Sequence, residues 1–233
     1  MSLLSKTDYF GLGGQGWVPE STNENRAVGF TAEARSDDGF LVAMEAGGER
    51  ISPTVNYIAT PSATLSGIKV GSVSVIDAKS IAFGSLTITT GAGENAKMTA
   101  NGQQIEPSGS EHCTVTLAGL TIDEPFHANT FGLFSYSNGQ LANTTLNIDG
   151  NIALAEVDGS IMSSDLVDAR LTVTGTIIGV NDLGSITTPT LSIIQPSASN
   201  ILTGVLTQPL TQDNPNGDFP TYNFEIAFGL KAD

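Results

Sequence analysis

The chain has 233 residues, of which 39% are hydrophobic and only 14% charged, and its formal net charge is −15. Twenty-four acids against nine bases exclude a basic footprint for gripping nucleic acid and an attraction to anionic membrane surfaces. A single cysteine, Cys113, excludes an intrachain disulfide framework, and no apolar run approaches the roughly 18 residues that a spanning helix needs.

Strand signals then dominate from end to end. Residues 1–26 read as an N-terminal arm. They hold Gly11-Leu12-Gly13-Gly14-Gln15-Gly16, a literal G-x-G-x-x-G. A dinucleotide site needs a core strand before that motif and a helix after it. Here only ten residues precede it, and Pro19 pushes Val18 towards an extended conformation, so a tightly turned arm is expected instead. Val28 to Ala34 and Phe40 to Ala46 alternate around Asp37-Asp38-Gly39, which predicts a hairpin. Thr54 to Thr60, Ile68 to Ile76 and Ser80 to Thr90 read as further strands. Gly93 to Ala100 and Ser163 to Ala169 are each compatible with a turn or two of helix, without a sustained 3.6-residue period.

In the second half, His112 to Ile122, Thr130 to Tyr136, Leu141 to Ile148, Ile152 to Val157, Arg170 to Ile178, Leu191 to Ile194, Ile201 to Leu206 and Tyr222 to Leu230 read as strands. Six Asn-Gly or Asp-Gly pairs, at 38, 101, 138, 149, 158 and 216, mark turns between them. Short strands at regular turns predict an all-β, antiparallel sandwich or barrel with long polar loops and at most one or two short helices. One domain spans 1–233, with a weak subdivision near 160–168. The two prominent polar loops are Gln103 to Glu111 and Gln208 to Pro220.

The residues that carry chemistry are few. His112, Cys113, Asp123, Glu124 and His127 match no zinc spacing, and adjacent strand residues such as His112 and Cys113 point to opposite faces. Asp213, Asn214, Asn216 and Asp218 place four oxygen-bearing side chains within six residues, the ligand type calcium wants, but in no EF-hand register. A solvated turn is the plainer expectation there. Glu156, Asp158, Asp165 and Asp168 supply carboxylates for glycoside cleavage, yet mostly in turn contexts, and aromatics for a sugar platform make up only 6% of the chain. No G-x-S-x-G elbow is present. The expectation is a non-enzymatic protein with no cofactor.

Charge is uneven along the chain. From Met98 to Leu230 there are thirteen acids and one base, Arg170, whereas the first 97 residues carry ten acids and seven bases. A surface made polar by Ser, Thr, Asn, Gln and Gly suits subunits that bury much of their outside, because desolvating a hydroxyl or amide costs less than desolvating an ion, and it equally fits a β-rich extracellular-type protein.

In its start Met1-Ser2-Leu3-Leu4-Ser5-Lys6, its polar loop at Gln103 to Glu111, its Thr/Ser/Gly-rich hairpins and its terminal strand Tyr222 to Lys231, the chain resembles tailed-bacteriophage virion proteins. Among them it resembles tail-tube (major tail protein) subunits. Met1 to Tyr9 hold no basic stretch followed by a long apolar one, so no secretory leader is expected. The resemblance implies a protein made in the host cytoplasm and placed in the virion. Its partners would be copies of itself in sixfold rings and other virion proteins, with no specific nucleic-acid binding and no membrane. It also implies an acidic, DNA-conducting lumen, for which Glu106, Asp123, Asp149 and Asp158 are the candidates. Two other classes fit the same residues: a non-tube virion protein (capsid decoration, baseplate or spike subunit) and a carbohydrate-binding or adhesive β module.

Overall fold

A computed structural model describes residues 6–76, 78–91, 94–105, 114–116, 140–157, 160–178, 190–194, 199–203, 205–207, 211–213 and 221–231. The protein is all-β and antiparallel. After one four-residue 3-10 helix, Leu12–Gln15, the strands are β1 (Trp17–Arg35), β2 (Leu41–Ala59), β3 (Lys69–Val70), β4 (Val73–Ile76), β5 (Lys79–Gly91), β6 (Lys97–Ile105) and β7 (Thr114–Thr116). They continue as β8 (Gln140–Val157), β9 (Ser160–Ile178), β10 (Thr190–Ile194), β11 (Ser199–Thr203), β12 (Val205–Leu206), β13 (Thr211–Asp213) and β14 (Thr221–Lys231). The large sheet runs β1-β2-β6-β5-β8-β9-β14-β12, with β13 also on β14 and β4 also on β5. A smaller sheet runs β11-β10-β7-β3.

Period-two alternation builds the core. Val55 and Tyr57 of β2, Leu86 and Ile88 of β5, Met98 and Ala100 of β6, Leu146 and Ile148 of β8, Leu171 and Val173 of β9, and Phe224, Ile226 and Phe228 of β14 are all buried in one cluster. Each Val, Leu, Ile, Met or Phe among them contributes about 1.5–3 kcal/mol on burial. The smaller sheet meets the large one at β3, whose Val70 joins the same cluster.

The N-terminal segment forms much of the cover over this face. Tyr9, Phe10, Leu12 and Trp17 are buried in the cluster, and the Phe10 and Phe83 rings stack with centroids 4.6 Å apart. The glycine-rich motif is a tight turn: Gly11 and Gly16 flank the 3-10 helix in the left-handed region. A Cβ on Gly16 would lie 2.7 Å from the Ala63 backbone, so glycine is required twice over there. The Asp8 carboxylate accepts the amides of Leu12 (3.1 Å) and Gly13 (2.7 Å) and the Tyr57 hydroxyl (2.7 Å). Trp17 Nε1 donates to the Thr64 carbonyl at 2.9 Å, anchoring loop 60–68 beside it.

Several sequence expectations need correction. The strands predicted at Phe40 to Ala46 and Thr54 to Thr60 are parts of one strand, β2, and those at Leu141 to Ile148 and Ile152 to Val157 are parts of β8. Asp149-Gly150 and Asn101-Gly102 lie inside strands rather than at turns, because their backbones pair with β5 and β9 or with β2 and β5. The helical turns predicted at Gly93 to Ala100 and Ser163 to Ala169 are overridden by sheet pairing: Lys97 onward belongs to β6, and 163–169 lies within β9. The join at 160–168 is likewise β9. The predicted strand Thr130 to Tyr136 lies outside the described residues.

Candidate assembly surfaces

Two features follow from strand lengths alone. The β1–β2 ladder runs from Trp17↔Ala59 to Arg35↔Leu41, but among the described residues β2 has a second neighbour, β6, only over Thr54–Ile58. Residues 24–35 and 41–53 are therefore a two-stranded ribbon, and twelve residues at about 3.4 Å each make it roughly 40 Å long. In the same way β5 supports β8 only over 143–149, and β14 supports β9 only over 168–178. Residues 150–157 and 160–167 form a second, shorter ribbon, paired as far as Val157↔Ser160 on either side of Asp158-Gly159.

Both ribbons leave the same end of the sheet. The cross-strand row Asn23, Thr54, Asn101, Ser85, Asp149, Arg170 traverses six strands, and both ribbons begin just beyond it. Between them β5 and β6 continue only to Ser80↔Ile105, with β4 taking over the β5 edge that β8 has left. The handover produces a bulge at Gly84 and a shallow cleft of about 250 Å³ lined by Ser85, Asn101, Gln103, Asp149 and Asn151 among others.

The end of the first ribbon is apolar and open. Phe40 is 73% exposed, Val42 64% and Met44 63%. The turn before it is made by Ser36, which accepts the Gly39 amide through its carbonyl and the Phe40 amide through its hydroxyl, with Gly39 at φ 82°. Along the ribbon Arg26 pairs with Glu24 and Arg35 with Glu33, each at 2.9 Å and two residues apart on one strand. At its root Tyr9 donates to Glu24, and this bond, reinforced by Arg26, holds the Glu24 carboxyl below its ordinary value of 4.5. Tyr57 titrates above the usual phenol range because it is buried and bonded to Asp8.

The side of the large sheet opposite the core is a field of hydroxyls and amides bonded to one another. Thr54 donates to Asn101 (2.8 Å), Asn101 to Ser85 (3.1 Å), Thr99 to Asn56 (2.8 Å), Asn56 to Ser21 (3.0 Å), Thr87 to Asn147 (2.8 Å) and Thr176 to Asn223 (2.8 Å). Sequence reading missed this face. The signal was present as Thr or Asn at every second position of Leu86 to Thr90, Thr144 to Ile148 and Leu171 to Thr176.

Of the lumen candidates, Asp149 is exposed on this polar face, opposite Arg170 in the β8–β9 ladder. Glu106, Asp123 and Asp158 lie outside the described residues. Of the calcium candidates, Asp213 ends β13 opposite Thr221, and Asn214, Asn216 and Asp218 lie outside. His112, Cys113, Asp123, Glu124 and His127 lie outside as well. The ladder does not bring Glu156, Asp165 and Asp168 opposite one another, because they face Ile161, Ala153 and Asn151. Among the described residues no three His, Cys, Asp or Glu side chains gather as metal ligands, and no helix is long and apolar enough to cross a membrane. No protein-family model matches the chain, and no curated protein sequence matches it.

Proposed function

We propose that this chain is a structural virion protein that assembles with copies of itself through its two ribbons, forming stacked tail-tube rings. The observation that carries the reading is the ribbon pair. A two-stranded hairpin alone in water is marginally stable at best, and its two open edges are templates for further pairing. Among the described residues this chain holds two, one of them about 40 Å long by its residue count, with Phe40, Val42 and Met44 open to solvent near its end. Because both ribbons leave one end of the sheet, a neighbouring copy offers the second ribbon to the edge of the first. Repetition of that heterologous contact closes a ring when the rotation closes.

The electrostatics agree with a conduit for a polyanion. A net charge of −15 with one base between Met98 and Leu230 disfavours holding phosphates in passage. The test is negative-stain electron microscopy of the purified protein with light scattering for mass. Uniform rings or stacked tubes are expected. A monomer or a small trimer that does not stack overturns the tail-tube reading and favours a decoration, baseplate or spike subunit.

A further inference from the structure

We infer that residues 7–16 are a brace that fixes the angle at which the first ribbon leaves the body, so that each subunit carries a preset arm rather than a loose hairpin. The brace is a property of the single chain, and its consequence for assembly rests on the reading above. The need for it lies in the ladder. Among the described residues β2 loses its second neighbour beyond Thr54, so from the pair Asn23↔Thr54 outward β1 and β2 hold only each other. A two-stranded ribbon has no third strand to resist bending at such a point.

The N-terminal segment crosses this point. Its hold on the body is firm: Phe10 stacks on Phe83 of β5, Leu12 is buried, and Asp8 accepts the Tyr57 hydroxyl of β2 at 2.7 Å. The Gly16 carbonyl accepts the Thr60 amide at 2.9 Å and the Thr60 hydroxyl at 2.8 Å. Its other contacts land on the ribbon root. Thr22 donates to the Thr7 carbonyl at 3.0 Å, and the Tyr9 hydroxyl donates to Glu24. Arg26 grips the same carboxylate through Nε (3.2 Å) and Nη2 (2.9 Å). Thr22, Glu24 and Arg26 are alternate residues and share one face of β1. They stand opposite Val55, Pro53 and Ile51, all three buried. The ties therefore fall on both sides of the Asn23↔Thr54 pair, on the face of the ribbon that continues the core. Lys79, at the start of β5, adds an attraction to the Glu24 carboxylate from the body side.

Length makes the angle matter. A tilt of about 10° at the root moves a tip roughly 40 Å away by roughly 7 Å, more than the ~4.8 Å between paired strands. The ties of Tyr9 and Thr22 thus decide which strand of a neighbour the ribbon meets, and a preset arm loses less freedom on pairing than a loose one.

The experiment measures the distance between two nitroxide labels by double electron–electron resonance in dilute protein. The labels are carried by Ala43→Cys on the ribbon and Thr89→Cys on β5, both exposed, with Cys113→Ser to leave no other thiol. Tyr9→Phe and Thr22→Val remove the two tying hydroxyls, singly and together, and Arg35→Gln removes an ion pair further out along the ribbon. In the expected result the native distance distribution is narrow, the double variant widens it at least twofold, each single variant widens it less, and Arg35→Gln leaves it unchanged. A native distribution as broad as the double variant's, or equal widening by Arg35→Gln, overturns the brace. Should the double variant fail to fold by circular dichroism, Tyr9→Phe alone decides, and a distribution as narrow as the native one overturns the brace. Light scattering of the native chain reads assembly separately: a braced ribbon on a chain that stays monomeric keeps this inference and overturns the tail-tube reading.

Discussion

The sheet body and the ribbons that leave it are built from the same strands but are stabilised differently. In the body β2, β6, β5, β8, β9 and β14 each have a neighbour on both sides and an apolar face under cover. In β5, Leu86 and Ile88 pair with Ala100 and Met98 on one side and with Ile148 and Leu146 on the other, all buried. In the ribbons, among the described residues, one ladder stands alone, and Phe40, Leu41, Val42 and Met44 are exposed. Strand formation therefore needs only alternation and a turn, whereas a stable sheet needs a third strand and a lid. The body supplies both from its own chain, whereas among the described residues the ribbons have no third strand.

Substitutions separate the two regions most sharply. Phe228→Ala, in the fully buried centre of β14, is expected to cost about 3–5 kcal/mol in urea unfolding of the subunit. Phe40→Ser is expected to change that stability by less than about 0.5 kcal/mol, because the ring is already in water, while abolishing assembly in light scattering. A large loss of subunit stability from Phe40→Ser would place that ring in a core and erase the distinction.

The lid is next in size. Asp8→Ala leaves the Leu12 and Gly13 amides and the buried Tyr57 hydroxyl without their acceptor, and about 1–3 kcal/mol is expected to be lost. Limited proteolysis should then cut within residues 6–16 before anywhere in β5 or β6.

The pH dependence is smaller and has a definite sign. The Glu24 carboxyl is held below 4.5 by Tyr9 and Arg26, so its contribution is present above about pH 4.5 and lost as pH falls through the lowered value. Tyr57 titrates above its ordinary value of 10, so its contribution is present below pH 10 and lost as pH rises beyond it. Unfolding midpoints measured against pH should fall at both ends in the native chain. Glu24→Gln should flatten the acid side and Tyr57→Phe the alkaline side. Smallest of all, Thr54→Val removes one bond of the polar face and should cost about 0.5–1.5 kcal/mol by urea titration.

Much of this was legible in the sequence. The alternation of Val28 to Ala34 and the Asp38-Gly39 turn predicted the first hairpin, and the run Tyr222 to Leu230 predicted β14. Lengths were not legible, because local pattern cannot tell a strand that stops at a turn signal from one that runs through it. Asn101-Gly102 carries a turn signature, yet Gly102 lies where a Cβ would meet the Ala82 carbonyl at 2.8 Å, so the glycine serves close strand packing. Asp149-Gly150 likewise continues β8 at the point where its pairing with β5 ends. The ribbons were invisible for the same reason: a ribbon is defined by where its neighbours end, a property of β6, β5 and β14. The acids of the second half were noticed, but their placement depends on register, and of the four lumen candidates only Asp149 is among the described residues, on the polar face.

Hydrogen–deuterium exchange, read by mass spectrometry in dilute and in concentrated protein, tests assembly through the ribbons most directly. Pairing of ribbon edges between copies requires that peptides from 24–35, 41–53, 150–157 and 160–167 gain protection with concentration, while β5 and β6 stay protected throughout. Ribbon exchange that remains fast and unchanged across the whole concentration range contradicts it.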